Sequence, residues 1–547
     1  MTAAVALPPA PEHRVVPREK GRRWRPRAFL RCHRVPLLAT VGMLPLYLVW
    51  AFFRANGGGD LAAQETWARF AVQHGDSAYG LFWFGGAHTA NYSLISPYLM
   101  GFFGVRTIAV ASGLAAGWLA SVLVLRCGVR RPLAPALLAA FGVWTDVAAG
   151  RVTFALGVAF GLAACVLLVG ERRTVLAAGY ALLATAASPV AGLFLVAVGA
   201  AYLLARDRKR GAALIVPPFA VVATTTLLFP FQGQEPMAPG RILWPGLLGA
   251  AVALLAPRGW RVLRLGGAVY AVGVVLSYLI PSPVGSNVER LALMFAPAVL
   301  LAALLSMPRA ARTRRRALTL ALAGSLFWLC SGTPTSFLRG SAEVPAWAAD
   351  THGVVRELDR LGADRARVEV VPTQDHREAA LLSPHVNLAR GWNTQLDMQR
   401  GRFFYDGTFS AAKYRAWLGR WAVGYVVRPA AEPDRYGEAE ARLVGSRPAW
   451  LQPVWSDAHW RVYRVRNAVP LVSAPAEVTG SSGAELDVRM PESGSVTVRV
   501  VYSPWLHVDG GCLSRQGEFT RLTVGAAGVY RIGSTYLSSE SGAGGGC

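Results

Sequence analysis

The sequence is short of charge, and of acid above all. Charged residues make up 16% of the 547, where a soluble domain carries about 25%. Only 32 Asp and Glu stand against 56 Lys and Arg, a formal net charge of +24. In a soluble chain that excess would point to nucleic acid. Here the basic residues sit in short clusters between apolar runs and form no face interleaved with aromatics, so no nucleic acid is expected as a partner. Cysteine is scarce too. The six cysteines make no CxxC, which speaks against a zinc or redox centre built on thiolates. Cys32, Cys127, Cys165 and Cys330 fall in or beside apolar runs, whereas Cys512 and Cys547 can pair if their side of the membrane is oxidising. No Walker motif, GxSxG or HExxH is present, so ATP-driven transport and serine or zinc hydrolysis have no support.

What the chain has is apolar length. Hydrophobic residues reach 53%, and residues 35–335 hold almost every long apolar run. The runs fall near 35–53, 104–126, 132–148, 152–170, 174–188, 190–205, 212–230, 241–257, 264–280, 290–307 and 317–332. Several are shorter than the roughly 20 residues of an ideal span. Alternate connectors are short and basic: Arg126–Arg131, Glu171–Arg173, Arg206–Arg210, Arg258–Arg264 and Arg309–Arg316. The connectors between them are poorer in Lys and Arg. By the positive-inside rule the N-terminus lies inside and everything after about 335 lies outside.

The expected architecture is therefore a mainly α polytopic membrane bundle of about 11 transmembrane helices, N-terminus in and C-terminus out. Residues 1–34 read as a basic cytoplasmic tail. The membrane domain is 35–335, with a long first outer loop at 54–97. Residues 336–467 mix helical and strand patterns, as in an extracytoplasmic α/β module. Residues 468–547 alternate with period two between Gly/Ser turns, as in a β-sandwich with a Gly/Ser tail. The expected location is the plasma membrane, multi-pass, with membrane lipid as an obligatory partner.

The candidate chemistry gathers at the outer ends of the spans. The first loop carries Asp60 and Gln64, four apart and so on one helical face, with Glu65 beside them. Trp83, His88 and Tyr92 follow among glycines and aromatics. Aromatics beside carboxylates at a membrane surface suit sugar binding, since apolar sugar faces stack on rings while hydroxyls need acceptors. Interfacial anchoring of the aromatics and a helix N-cap at Asp60 are the plainer readings. Asp146 ends the third run, where an acid at such depth is a functional candidate that can face Asp60 across an outer cavity; a local pair with Arg151 is its alternative. Asn287 and Arg290 open the tenth run. An outer Arg290 can clamp a lipid phosphate, or pair with Glu289. In the outer part, Asp375 and His376 form a possible base pair beside the polar-aromatic stretch 388–397.

This layout resembles the multi-spanning glycosyltransferases of the GT-C fold, which use polyprenyl-phosphate sugars. The stretch from Asp60 to Pro97 is also similar to uncharacterised actinobacterial-type membrane proteins. The resemblance rests on an acid in a long first outer loop (Asp60), a second acid after the third span (Asp146), the Tyr92–Pro97 segment leading into the second span, and an outer domain after the last span. It departs from the family pattern in one place: the first loop often pairs two acids, and here Asp60 is followed by Leu61. The resemblance implies transfer of a sugar from a polyprenyl-phosphate donor to an extracytoplasmic glycan or lipid acceptor. Asp60 would be the general base. Asp146 would orient the acceptor or, with Asp60, hold a divalent metal such as Mg or Mn. Arg290 and Arg151 would neutralise the leaving phosphate, and Gln64, Glu65, Trp83, His88, Tyr92 and Asn287 would bind substrate. The β-rich terminal domain would hold the glycan. Two other readings stay open: a multi-spanning transporter or glycan-lipid flippase, and a non-catalytic envelope assembly protein with a degenerate transferase core.

Overall fold

The computed structural model describes residues 33–170, 173–231, 233–331 and 343–536. Most of the N-terminal tail, the boundary expected near 335, Cys32, Cys547 and the Gly/Ser tail lie outside these residues.

The chain is mostly helical, with several small sheets toward its C-terminus. Among the described residues six helices are long and apolar enough to cross a membrane: Arg34–Arg54, Val105–Arg126, Val152–Val169, Arg208–Leu228, Arg261–Leu279 and Gly285–Ser306. Leu133–Ala148, Thr174–Ala187, Pro189–Leu204 and Pro239–Leu255 are apolar but shorter. Arg312–Ser331 opens on four basic residues among its first five. Every apolar run of the sequence is thus helical. One further helix, Ser96–Phe103, was not anticipated. Large apolar side chains such as Phe52, Phe102, Leu227, Leu254 and Leu320 point outward from these helices, as a lipid-facing surface requires.

Small residues let the helices touch backbone to backbone. A Cβ on Gly142 would lie 2.2 Å from the Met294 carbonyl oxygen. Gly249 and Gly267 each face the other's carbonyl oxygen. The basic connectors do more than set charge. Arg314 donates to the Leu254, Leu255 and Ala256 carbonyls, and Arg315 to those of Leu304 and Met307. Carbonyls at a helix end lack the full set of intrahelical donors, and the arginines supply donors there; Leu304 O also accepts from Met307 N at 3.3 Å.

In the loop after the first long helix, helix Asp60–Gln73 precedes a two-stranded ribbon of β1 (Tyr79–Gly80) and β2 (Ala87–His88). The α/β module carries β3 (Arg367–Val370), β4 (Val423–Pro429), β5 (Leu451–Ser456) and β6 (Trp460–Val465). Their order is β3-β4-β6-β5, with only β3 and β4 parallel. The last segment builds two sheets. One orders β10 (Leu506–Val508), β13 (Gly528–Ser534), β8 (Leu486–Met490) and β7 (Glu477–Ser481). The other orders β11 (Gly511–Gln516), β12 (Phe519–Val524) and β9 (Gly494–Val501). Inward residues of both, Val488 and Ile532 against Val498 and Leu522, share one core. Cys512 is disulfide-bonded.

The first loop is built into these C-terminal domains. Trp67, Phe70, Phe82, Trp83 and Phe84 share a core with Leu358, Val368, Leu388 and Trp460. Backbone bonds fasten it: Phe84 N donates to Leu388 O, Leu388 N to Phe82 O, Leu81 N to Gly483 O and Val501 N to Gly85 O. Gly85 and Gly86 hold positive φ, which glycine adopts without steric cost.

Candidate active site

Asp60, Asp146 and Arg151 meet in the structure. Asp60 is the first residue of its helix, not the cap. Gly59 occupies the cap position and no side chain caps there. In the first turn a carboxylate gains from the helix dipole. Asp146 sits in the last turn of Leu133–Ala148, where the dipole opposes it. Arg151 answers both acids. Its Nε donates to Asp60 Oδ2 at 3.2 Å and its Nη1 to Asp146 Oδ1 at 3.2 Å. One guanidinium fork therefore holds the two bonded oxygens within about 9 Å of each other. Gly150 makes the approach possible: its φ is +80°, and a Cβ there would lie 2.9 Å from Leu61 N. The pairing of Asp146 with Arg151, read in the sequence as an alternative to a meeting with Asp60, occurs together with that meeting.

The environments of the two acids differ. The Asp60 side chain is 35% exposed and that of Asp146 only 4%. Asp146 Oδ2 is buried without a hydrogen-bond partner. Around them, Gln64 Oε1 accepts from Thr153 N at 3.4 Å. The Tyr92 hydroxyl contacts Thr153 and Gln64, and burial and then the Asp60 charge push it above the usual phenol range. The Tyr92 ring stacks on Trp67 at 5.4 Å.

Arg290 reaches the same place from the helix Glu289–Ser306. Its guanidinium lies 5.0 Å over the Phe154 ring and feels the charges of Arg151, Asp146, Asp60 and Glu235. It forms no ion pair within 4 Å among the described residues. The pairing with Glu289 considered from sequence does not occur: Glu289 pairs with Arg241 at 2.9 Å. Asn287 sits one shell out. With Ser286 and Gln395 it donates to Glu235, at 2.9, 2.5 and 3.0 Å. Glu235 ties the connectors 229–238 and 281–288 to the α/β module, and nothing in its local sequence marked it.

The other candidates lie elsewhere. Glu65 faces Gly57 rather than Asp146, among Arg106, Arg69 and Arg377; burial raises it and these three cations oppose the rise. Trp83 is buried in the loop–module core, its Nε1 donating to Ala379 O at 3.3 Å. The His88 ring contacts Ala78 O and Ser503 Oγ and packs on Tyr79 and Phe229; burial lowers it to about 4. Both rings join the loop to the C-terminal domains and stand apart from the carboxylates. His376 stacks on Trp392 at 3.5 Å, and its nearest acid is Glu378 at 3.7 Å rather than Asp375.

The donor set suits a resident divalent metal poorly. A hard cation needs several convergent oxygens, and Arg151 lies between the two carboxylates. Among the described residues no group of three or more His, Cys, Asp or Glu can hold a metal ion. What the arrangement offers is one half-exposed carboxylate, one buried carboxylate, a shared arginine and a second arginine free of carboxylate partners.

One family model matches, over residues 473–511 in the terminal sheets; it is described as a domain of unknown function (DUF8823). No curated protein matches. Among solved structures, the chain is similar to the cryo-EM structure of the arabinofuranosyltransferase AftD from mycobacteria, with 16% identity and a TM-score of 0.43 over 84% of this chain and 41% of that one. The chain thus spans about two fifths of that protein's length.

Proposed function

We propose that this chain is an integral membrane glycosyltransferase that moves a sugar from a polyprenyl-phosphate donor to an extracytoplasmic glycan or lipid acceptor. The observation that carries the reading is the meeting of Asp60, Asp146, Arg151 and Arg290 at helix ends. The eleven helices are read as spans, with the basic connectors on the cytoplasmic side of the plasma membrane.

In this reading the acceptor hydroxyl attacks the anomeric carbon. The new glycosidic bond forms as the carbon–phosphate oxygen bond breaks. Asp60, whose Oδ1 is not engaged by Arg151, takes the hydroxyl proton. The lipid phosphate leaves with the electron pair, and Arg290, whose guanidinium has no carboxylate partner, stabilises its growing charge. Asp146 fixes Arg151, and Arg151 orients Asp60. Gln64 and Tyr92 fix the wall beside it.

One observation favours a second reading. Arg151 engages both acids at once, as it would in a core that no longer reacts. Transfer assays in nanodiscs separate the two. With a polyprenyl-phosphate sugar donor, the wild-type chain transfers sugar and Asp60→Asn does not, with an unchanged melting temperature. Equal transfer by the variant refutes Asp60 as the base. Wild-type flux across sealed liposomes with no transfer would instead make the chain a transporter or flippase.

A further inference from the structure

The helix Asp60–Gln73 has a second face. Thr66, Arg69, Phe70 and Gln73 follow the i, i+3, i+4, i+7 spacing of one helical stripe. At about 100° per residue this stripe lies roughly opposite Asp60 and Gln64. It forms one wall of a cleft of about 410 Å³, inside the roughly 300–1,000 Å³ range of small-ligand sites. Residues 383–387 of the α/β module make the second wall, and the turn 481–483 of the terminal sheets makes the third. Three separate parts of the chain thus leave one hollow where they join.

The lining has a definite chemistry. Its floor is buried and partly aromatic: Phe70 and Phe82 lie 4.9 Å apart, beside Asn387. Its rim is exposed and rich in neutral hydrogen-bonding groups, among them Gln73, His385 and Ser482. Burial and then the Arg69 charge lower His385, so it stays neutral near pH 7. Among the described residues the lining holds one full cation, Arg69, whose Nη1 donates to the Ala380 carbonyl at 3.1 Å, and no acid. A metal would find no carboxylate, and an anion would meet one guanidinium already tied to the wall among otherwise neutral groups. A neutral polyol can set a carbon–hydrogen face on the ring edges and its hydroxyls on the amides, hydroxyl and imidazole of the rim.

We propose that this cleft is a saccharide-binding site for a neutral mono- or disaccharide unit of a glycan, separate from the Asp60 centre. It does not depend on the transferase reading, because the site would hold a glycan whether or not the chain transfers sugar.

The test is saturation-transfer NMR on the full chain in nanodiscs, with neutral tetrasaccharides of mannose, galactose and arabinose as probes. At least one gives saturation of its ring protons. Gln73→Ala and His385→Ala remove exposed side chains and leave the melting temperature unchanged; each weakens binding by about tenfold, the loss of one good hydrogen bond. Ser482→Trp fills the cleft and abolishes the signal. Asp60→Asn leaves the signal intact, which separates this site from the reaction centre. Absence of saturation with all three probes overturns the proposal. So does a signal that survives the Gln73→Ala/His385→Ala pair, is displaced by inorganic phosphate, or is lost in Asp60→Asn.

Discussion

Arg151 contacts two acids at the same distance, yet the two pairs should differ sharply in energy. Both contacts are 3.2 Å. Asp60 is 35% exposed and begins a helix, so water and the helix dipole already stabilise its charge. Exposed pairs of this kind are worth about 0.2–1 kcal/mol. Asp146 is 4% exposed, sits at a helix C-terminal end, and has one oxygen with no partner. Breaking a buried pair costs about 3–5 kcal/mol, because a charge is left without compensation. Arg151 is itself 29% exposed, so some of that cost is screened and about 2–3 kcal/mol remains. Double-mutant cycles test this. Arg151→Met, Asp146→Asn, Asp60→Asn and both pairwise combinations are unfolded in micelles with a titrated denaturing detergent. The expected coupling of Arg151 to Asp146 is about 2 kcal/mol or more, and to Asp60 about 1 kcal/mol or less. Coupling to Asp60 equal to or above that to Asp146 would refute the argument that burial and dipole set the difference.

In the α/β module, Arg390 lies among Asp397, Glu440 and Glu369, all buried. Burial lifts Glu440 to about 6 and holds Glu369 well above the usual range, with Glu440 adding to the rise. An acid raised in the folded state favours the protonated form, so stability is full below its unfolded value and falls as pH rises through about 6. Tryptophan-detected melting between about pH 4.5 and 8 should show this decline, with Glu369 prolonging it upward, and Glu369→Gln with Glu440→Gln should flatten it; stability that climbs with pH by the same amount in both proteins would contradict the assignment. Trp83→Ala should cost about 3–5 kcal/mol and speed hydrogen exchange at Phe84 and Leu388; unchanged exchange would mean that the ring does not hold the loop to the module.

Much of the helical plan is legible in the sequence, because each helix is announced by many residues at once. The runs at 104–126 and 152–170 became Val105–Arg126 and Val152–Gly170. Asp146 and Arg151 were legible as a pair because they are five residues apart at the end of one run. That Asp60 can face Asp146 was read from the layout of the loops; what the sequence does not show is the means, Gly150 accepting a backbone from ninety residues away, because a single glycine does not announce its partner. Trp83 and His88 were read as ligand-binding for a physical reason: a loop of aromatics and glycines has the same composition whether it lines a cleft or fills a core. The difference lies in strand-like bonds to Leu388 and Val501, hundreds of residues on. Glu235 was illegible for a similar reason, since its partners Ser286, Asn287 and Gln395 come from two distant segments.

These long-range contacts also decide what sets the geometry of the carboxylates. Gly59 N donates to Asp375 O at 2.6 Å, one residue before Asp60. Arg377, 7% exposed, donates from Nη2 to Asn56 Oδ1 at 2.6 Å and lies 3.3 Å from Asp375. A Cβ on Gly58 would lie 3.0 Å from its Nη2, so a larger residue there would have to displace the guanidinium by a few tenths of an ångström. Arg151 grips Asp60 from the helical bundle, and Asp375 with Arg377 grips the preceding turn from the α/β module. Asp60 therefore takes its position from two bodies, and a helical bundle stripped of the α/β module would keep Asp146 and Arg151 together while losing what orients Asp60 between them.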